Sequence, residues 1–296
     1  MAEKRKPGSG DVDQIKVDKK TELLKFLFEW MPGKSRTTIK SYLSHNQVGV
    51  NGSLTTQFNA MLMPGDEVTV TYGRSPVTLR HPMMRIVFED DLLIVIEKRN
   101  GLLSIATDKQ PSKTAFNILS DYVKSKDPEN RIFVLHRLDR ETSGLMMFAK
   151  DQGLKHDIQR NWEDTVVERK YYAVVEGEIT QLEGVISTYL TESKALKVYA
   201  TRKEDGKIAH TAFKVLKSNT ENTLLELELA TGRKNQIRAH MEHVGHPIIG
   251  DKKYGAKTNP IGRVALHAGK LSFVHPVSGE RMDFSTSIPQ KFTELF

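Results

Sequence analysis

The first readable pattern is TELLKFLFEWM, where Leu23, Leu24, Leu27 and Phe28 recur at the spacing of one helix face. Pro32-Gly33 ends it. A second short helix is predicted from Ser35 through SRTTIKSYL, with Ile39, Tyr42 and Leu43 inward and Arg36 and Lys40 outward. The period then changes. Val48-Gly49-Val50 runs into Asn51-Gly52, a dipeptide suited to a tight hairpin turn. After the turn Pro64-Gly65-Asp66, the alternation of Val68, Val70 and Tyr72 predicts another strand. Gly73-Arg74-Ser75-Pro76 reads as a linker.

Beyond residue 84 the texture is mostly that of strands. Apolar runs at 86–88 and 92–96 flank Asp90-Asp91 as a hairpin would, and runs at 133–135 and 146–148 flank a polar segment. Further strands are predicted at 171–175, 209–215 and 224–229, and helices at 114–124, 153–162 and 235–244, the last stopped by Gly245 and Pro247. Strands mostly follow strands, so the expected class is α+β, with a mixed, largely antiparallel sheet. No internal repeat is visible. The expected organisation is a disordered basic tail at 1–13, a small domain at 14–73, a linker at 74–83 and a large domain at 84–296.

Composition narrows the function classes. The 296 residues include no cysteine, which excludes disulfides, thiol catalysis and thiolate metal sites and suits a reducing cytoplasm. The N-terminus lacks the apolar core of a secretory signal, and no apolar run approaches the roughly 20 residues of a membrane span. Net charge is +7, with twelve Lys and Arg against eight Asp and Glu in residues 1–80. An excess of this sign favours polyanion partners through counterion release.

Within the small domain, Lys34, Arg36 and Lys40 fall on one exposed face, placed to meet phosphates or simply to solvate a helix. SRTTIKSYL, VGVNG and PGDEV, in that order, resemble the S4 RNA-binding domain. The resemblance implies recognition of folded RNA through shape and backbone, in keeping with the lack of an aromatic ladder for stacking single-stranded bases.

HRLDRETSGLMMFAK (136–150) is the stretch richest in chemistry. A strand delivers Asp139 into a loop among His136, Arg137 and Arg140, neighbours whose charge would keep a partly desolvated carboxylate ionised, as a nucleophile requires. A loop aspartate in a salt bridge fits the same residues. HRLDRETSG, however, resembles the active-site motif of the RluA family of pseudouridine synthases. EDDLLIVIEKRNGLLSI, ERKYYAVVEG, TGRKNQIRAHMEHVGHPIIGDKKYG and LHAGKLSFVHP follow in that family's order and extend the likeness over about 84–290.

The resemblance implies isomerisation of uridine to pseudouridine in structured RNA, foremost large-subunit ribosomal RNA and next transfer RNA, a reaction that needs no cofactor or metal; a cytoplasmic monomer is the default expectation. Asp139 is then the nucleophile, Tyr172 lies against the target base, Arg238 pairs with Asp139, and Arg137 and Arg140 hold RNA with Lys34, Arg36 and Lys40. The chain departs from the family pattern in two places: Arg99 stands where proline is usual, and Lys234-Asn235 where Thr-His is frequent. The spacing of His240, His243 and His246 is the one hint of a metal, and it is weak because Gly245 and Pro247 take His246 off the helix. The rival class is a non-catalytic RNA-binding or ribosome-assembly protein of the same fold.

Overall fold

The structure is a computed structural model and describes residues 12–44, 47–55, 57–71, 79, 81–106 and 114–296. The expected tail and linker lie largely outside these residues, although the first strand already begins at Val12. The chain divides into two compact units, Met1–Thr78 and Leu79–Phe296.

In the smaller unit, β1 (Val12–Lys16), β6 (Glu67–Thr71), β3 (Val48–Val50) and β4 (Ser53–Leu54) make an antiparallel sheet in that order, and β2 (Thr21–Glu22) pairs with β5 (Met61–Leu62). Helices α1 (Leu23–Trp30) and α2 (Arg36–Ser44) cover it. The helical stripes are as predicted with one exchange. Leu23 and Leu27 are buried, but Phe26 goes deeper than Leu24 or Phe28. Ile39 and Leu43 complete the core against Val48, Val68 and Val70. Asn51 takes the left-handed conformation that an Asn-Gly turn demands (φ 49°).

The larger unit is built on one sheet of eleven strands. Its path begins with β7 (Met84–Glu89) and β8 (Leu93–Lys98), the expected hairpin, and reaches β10 (Ser143–Ala149), which also carries the short β9 (Phe133–Val134). Beyond it come β16 (Leu266–Val274), with β17 (Arg281–Ser285) on its side, then β11 (Glu168–Glu176), β15 (Asn222–Leu229), β14 (Lys207–Ser218), β12 (Glu183–Glu192) and β13 (Val198–Thr201). Strands β12 and β13 escaped the sequence reading. They lie at one margin of the sheet, where β12 buries just Ile186 and Leu190 and so shows little alternation. Helices α3 (Ala115–Lys126), α4 (Gln152–Arg160), α5 (Trp162–Thr165), α6 (Gln236–His243) and α7 (Gln290–Thr293) complete the unit. The side chains of Thr114 and Asp151 cap α3 and α4 by accepting the N–H of Asn117 and Leu154.

Both faces of the central strands are covered. Met146 and Phe148 of β10, with Ile94 and Ile96 of β8, enter one core; Leu145, Met147, Leu93 and Val95 enter a second. That explains why these strands read as unbroken apolar runs. Among the named strands, β10 and β16 alone run parallel, over Ser143–His267 and Gly144–Ala268. Gly144 is required there. Its φ is +117°, and a Cβ would stand 2.1 Å from the Ala268 carbonyl oxygen. No helix among the described residues is long and apolar enough to cross a membrane.

Candidate active site

The loop leading into β10 is tied down residue by residue. The Ser104 hydroxyl accepts the Leu138 N–H at 3.1 Å and donates to the Leu138 carbonyl at 2.6 Å. The Asp139 carbonyl accepts the Thr142 N–H, and the Arg140 carbonyl accepts Gly101 N–H at 2.7 Å. The buried Lys98 ammonium donates to the carbonyls of Leu102 (2.8 Å), Arg99 (3.1 Å) and Arg140 (3.3 Å). Burial, with Arg263 adding to it, pushes Lys98 down to about 7, against the pull of Asp139 and Glu141. Ser143 accepts from Arg263 at 2.8 Å and meets His267 Nδ1 at 2.8 Å, while His267 Nε2 meets the Thr286 hydroxyl at 2.7 Å. Most of the loop is therefore fixed from elsewhere in the chain, and the Asp139 side chain it presents is half-buried.

The charge partner of that carboxylate comes from 99 residues away. Arg238 on α6 donates through Nη1 to Asp139 Oδ2 at 3.2 Å. The same guanidinium is gripped in a bidentate fork by Asp251, at 2.6 and 2.7 Å. Asp251 is 1% exposed, and sequence reading passed over it. Burial works against the Arg238 charge, but the Asp251 bonds outweigh it and Asp139 adds to them, so the guanidinium is held firmly protonated. Its plane also lies over the ring of the fully buried Tyr254, 4.6 Å from the centroid.

Gln236 sets the start of α6. Its amide oxygen accepts Arg233 N–H and the Thr231 hydroxyl, and its nitrogen donates to the His210 carbonyl and the Thr211 hydroxyl. Asn235, just before it, is the left-handed N-cap of the helix (φ 50°), and its side chain caps no helix N–H. With its amide nitrogen facing the carboxylate, Asn235 donates to Asp139 Oδ1 at 3.0 Å and Oδ2 at 2.7 Å, and its oxygen accepts the Tyr254 hydroxyl at 3.0 Å. The opposite orientation would set oxygen against oxygen.

Asp139, Asn235 and Arg238 face a cavity shared with Arg137, Leu138, Thr142, Tyr171, Leu229, Arg233, Ile237 and Leu266. It measures about 70 Å³. A water needs ~10–15 Å³ on this measure, so there is room for about five, the scale of a six-membered base. Tyr172 is not on its wall. Successive strand residues face opposite ways, and the ring of Tyr172 packs over Gly269, where a Cβ would meet it at 2.3 Å. Its neighbour Tyr171 takes the cavity side. Burial pushes the Tyr171 phenol up, with Arg169 opposing and Asp139 reinforcing, so it is neutral at physiological pH.

The other expected residues fall in three places. Arg137 is exposed at the cavity wall. Arg140 turns to Glu141 at 2.7 Å and does not line the cavity. Lys34, Arg36 and Lys40 belong to the smaller unit and are exposed there, Arg36 lying 5.7 Å from the Phe28 ring centroid. His136 was counted among the potential cations beside Asp139, and the structure corrects this. Burial pushes it down to about 3, with Arg169 adding to the shift, and its Nε2 accepts the Met147 N–H at 3.0 Å. It is a neutral strut. Of the three spaced histidines, His240 is buried against the Thr211 hydroxyl and His246 meets the Glu176 carbonyl. Arg99 donates its backbone N–H to Met83 O, a bond that the proline usual at this position could not make.

Residues 92–243 match the family described as RNA pseudouridylate synthase, a span that contains Asp139, Tyr171 and Arg238. The RNA pseudouridine synthase YlyB of Bacillus subtilis (strain 168) is 35% identical over 292 residues, covering 96% of each chain. Ribosomal large subunit pseudouridine synthase D of Escherichia coli O157:H7 is 30% identical over 286 residues, 91% of this chain and 87% of its own. Among solved structures, human RNA pseudouridylate synthase domain containing 4 has the same fold, with a TM-score of 0.58 at 24% identity over 70% of this chain and 90% of that one. A family match over half the chain, with relatives aligned along nearly all of it, places the protein in the RluA family of RNA pseudouridine synthases, isomerases that act on uridines in RNA.

Proposed function

We propose that Asp139 is the nucleophile of this isomerase and that its target uridine lies in large-subunit ribosomal RNA. Pseudouridine formation breaks the C1′–N1 bond and makes C1′–C5; N1 gains a proton and C5 loses one, with no change of oxidation state. Three routes suit a single carboxylate: attack at the sugar, attack at the base, or removal of a sugar proton. All require it ionised beside the glycosidic bond. The observation that carries the reading is the Asp139 carboxylate facing a base-sized cavity with the Arg238 guanidinium at 3.2 Å. Tyr171, neutral and on the same wall, is the residue set against the flat face of an extruded uracil. Extrusion costs a few kcal/mol, and Arg137 and Arg233 at the cavity wall are placed to recover part of it from phosphates.

The substrate assignment draws on relatives named for the large ribosomal subunit. Residues 14–73 act, on this reading, as an S4-like RNA-binding domain through Lys34, Arg36 and Lys40, and the enzyme works as a cytoplasmic monomer. The test is to map pseudouridines in total RNA from cells lacking the gene, complemented with wild type or with Asp139→Asn. Wild type restores a site in large-subunit ribosomal RNA and the variant restores none. A site restored by Asp139→Asn overturns the nucleophile, and a site restored in transfer RNA alone overturns the substrate.

A further inference from the structure

We infer that Asn235, oriented by Tyr254, is a positioning residue that fixes the Asp139 carboxylate for attack; the inference rests on Asp139 being the nucleophile. Arg238 touches one carboxylate oxygen, Oδ2, at 3.2 Å. A carboxylate held by one such bond is free to turn about its Cβ–Cγ bond. The Asn235 amide nitrogen spans both oxygens, at 2.7 and 3.0 Å, and closes that freedom. The amide is itself locked. Its oxygen accepts the hydroxyl of Tyr254, which is fully buried, and that hydroxyl accepts the Val198 N–H at 3.2 Å. The chain of donors runs from Val198 N–H to Tyr254 to Asn235 to Asp139, and each oxygen in it has a defined role.

Two independent features make asparagine fit this position. The backbone is left-handed, at φ 50° and ψ 23°, a conformation asparagine tolerates better than most residues. The amide is neutral, so it donates to a carboxylate and accepts from a phenol at once. The other groups facing Asp139 across the cavity, Arg137, Arg233, Arg238 and Tyr171, line its walls from other positions. Asn235 thus acts through Asp139 and need not touch the uridine.

Two substitutions separate the amide from the backbone. Asn235→Gly keeps the left-handed turn without strain and removes the amide. Asn235→Asp keeps shape and turn but sets a second carboxylate against Asp139. Single-turnover rates at increasing enzyme excess, on total RNA from cells lacking the gene, give the maximal rate and the half-saturating concentration separately. The maximal rate is expected to fall at least tenfold in Asn235→Gly and further in Asn235→Asp, with half-saturation within about twofold of wild type. Tyr254→Phe, which keeps the ring under Arg238, is expected to slow wild type and to add nothing in the Asn235→Gly background. A wild-type maximal rate in Asn235→Gly overturns the inference, and so does a loss confined to half-saturation or a fully additive double variant. If Asp139→Asn retains turnover, the nucleophile assignment itself has failed, a result distinct from any of these.

Discussion

The loop at residues 138–143 and the basic set Lys34, Arg36 and Lys40 are both rich in charge, and they are organised in opposite ways. In the loop, Leu138, Asp139, Arg140 and Ser143 each bond to a partner, most of them distant in sequence, so that one carboxylate is aimed to within hydrogen-bond tolerance. The basic residues of the smaller unit stand exposed on and beside a two-turn helix. Bond making needs a fixed geometry before substrate arrives. Phosphate binding gains from charge at long range and tolerates freedom in the side chain. On the proposed roles, the two regions should respond to mutation differently, one in rate and fold, the other in affinity.

The strongest way to break the rigid half is Gly144→Ala. A Cβ would strike the Ala268 backbone and the residue would keep a positive φ, so the larger unit should lose about 3 kcal/mol or more, read as a lowered midpoint in urea. Next is Arg238→Ala, which should cut the maximal rate about a hundredfold while RNA affinity holds within tenfold. Asp251→Asn should show the same pattern at smaller size, since it loosens the fork that holds Arg238. A loss of affinity equal to the loss of rate would place these residues with the basic set instead.

Acid sharpens the contrast further. Burial keeps His136, His240 and His267 neutral, with pKa values of about 3, 4 and 4 against 6.5 in the unfolded chain. Between those values the unfolded state binds more protons, so stability is complete above about pH 6.5 and falls as pH drops toward 4. Melting temperature should decline over that window, and less steeply in His136→Gln, which retains an acceptor for the Met147 N–H. The smallest effect belongs to the other region. Replacing Lys34, Arg36 and Lys40 together with Ala should weaken RNA binding and flatten its logarithmic salt dependence by up to about 0.7–0.9 for each phosphate no longer neutralised, with the maximal rate unchanged.

Much of this was legible in the sequence because it is local. Asn51-Gly52 announces its turn, the Asp90-Asp91 hairpin lies between two apolar runs, and the nine residues from His136 to Gly144 carry the family's signature. What stayed hidden depends on distant atoms. Two adjacent tyrosines cannot be told apart by composition; which one meets the cavity is a matter of strand parity, and a register shift between Lys170 and Tyr171 obscures the count. Asp251 drew no reading of its own, because nothing local shows that it is buried against Arg238. Asn235 stands out in the sequence as a departure from the family pattern, but neither its left-handed backbone nor the contact of its amide with Asp139 is visible there.

The fork between Arg238 and Asp251 has one more consequence. Two carboxylates share one guanidinium, so the trio of Asp139, Arg238 and Asp251 carries a surplus of one negative charge. A phosphodiester pressed against Asp139 meets repulsion, whereas an uncharged uracil with its ribose does not. On the proposed function, the trio would sort the parts of a nucleotide by charge, turning the strand's backbone out toward the arginines at 137 and 233 and admitting the ring.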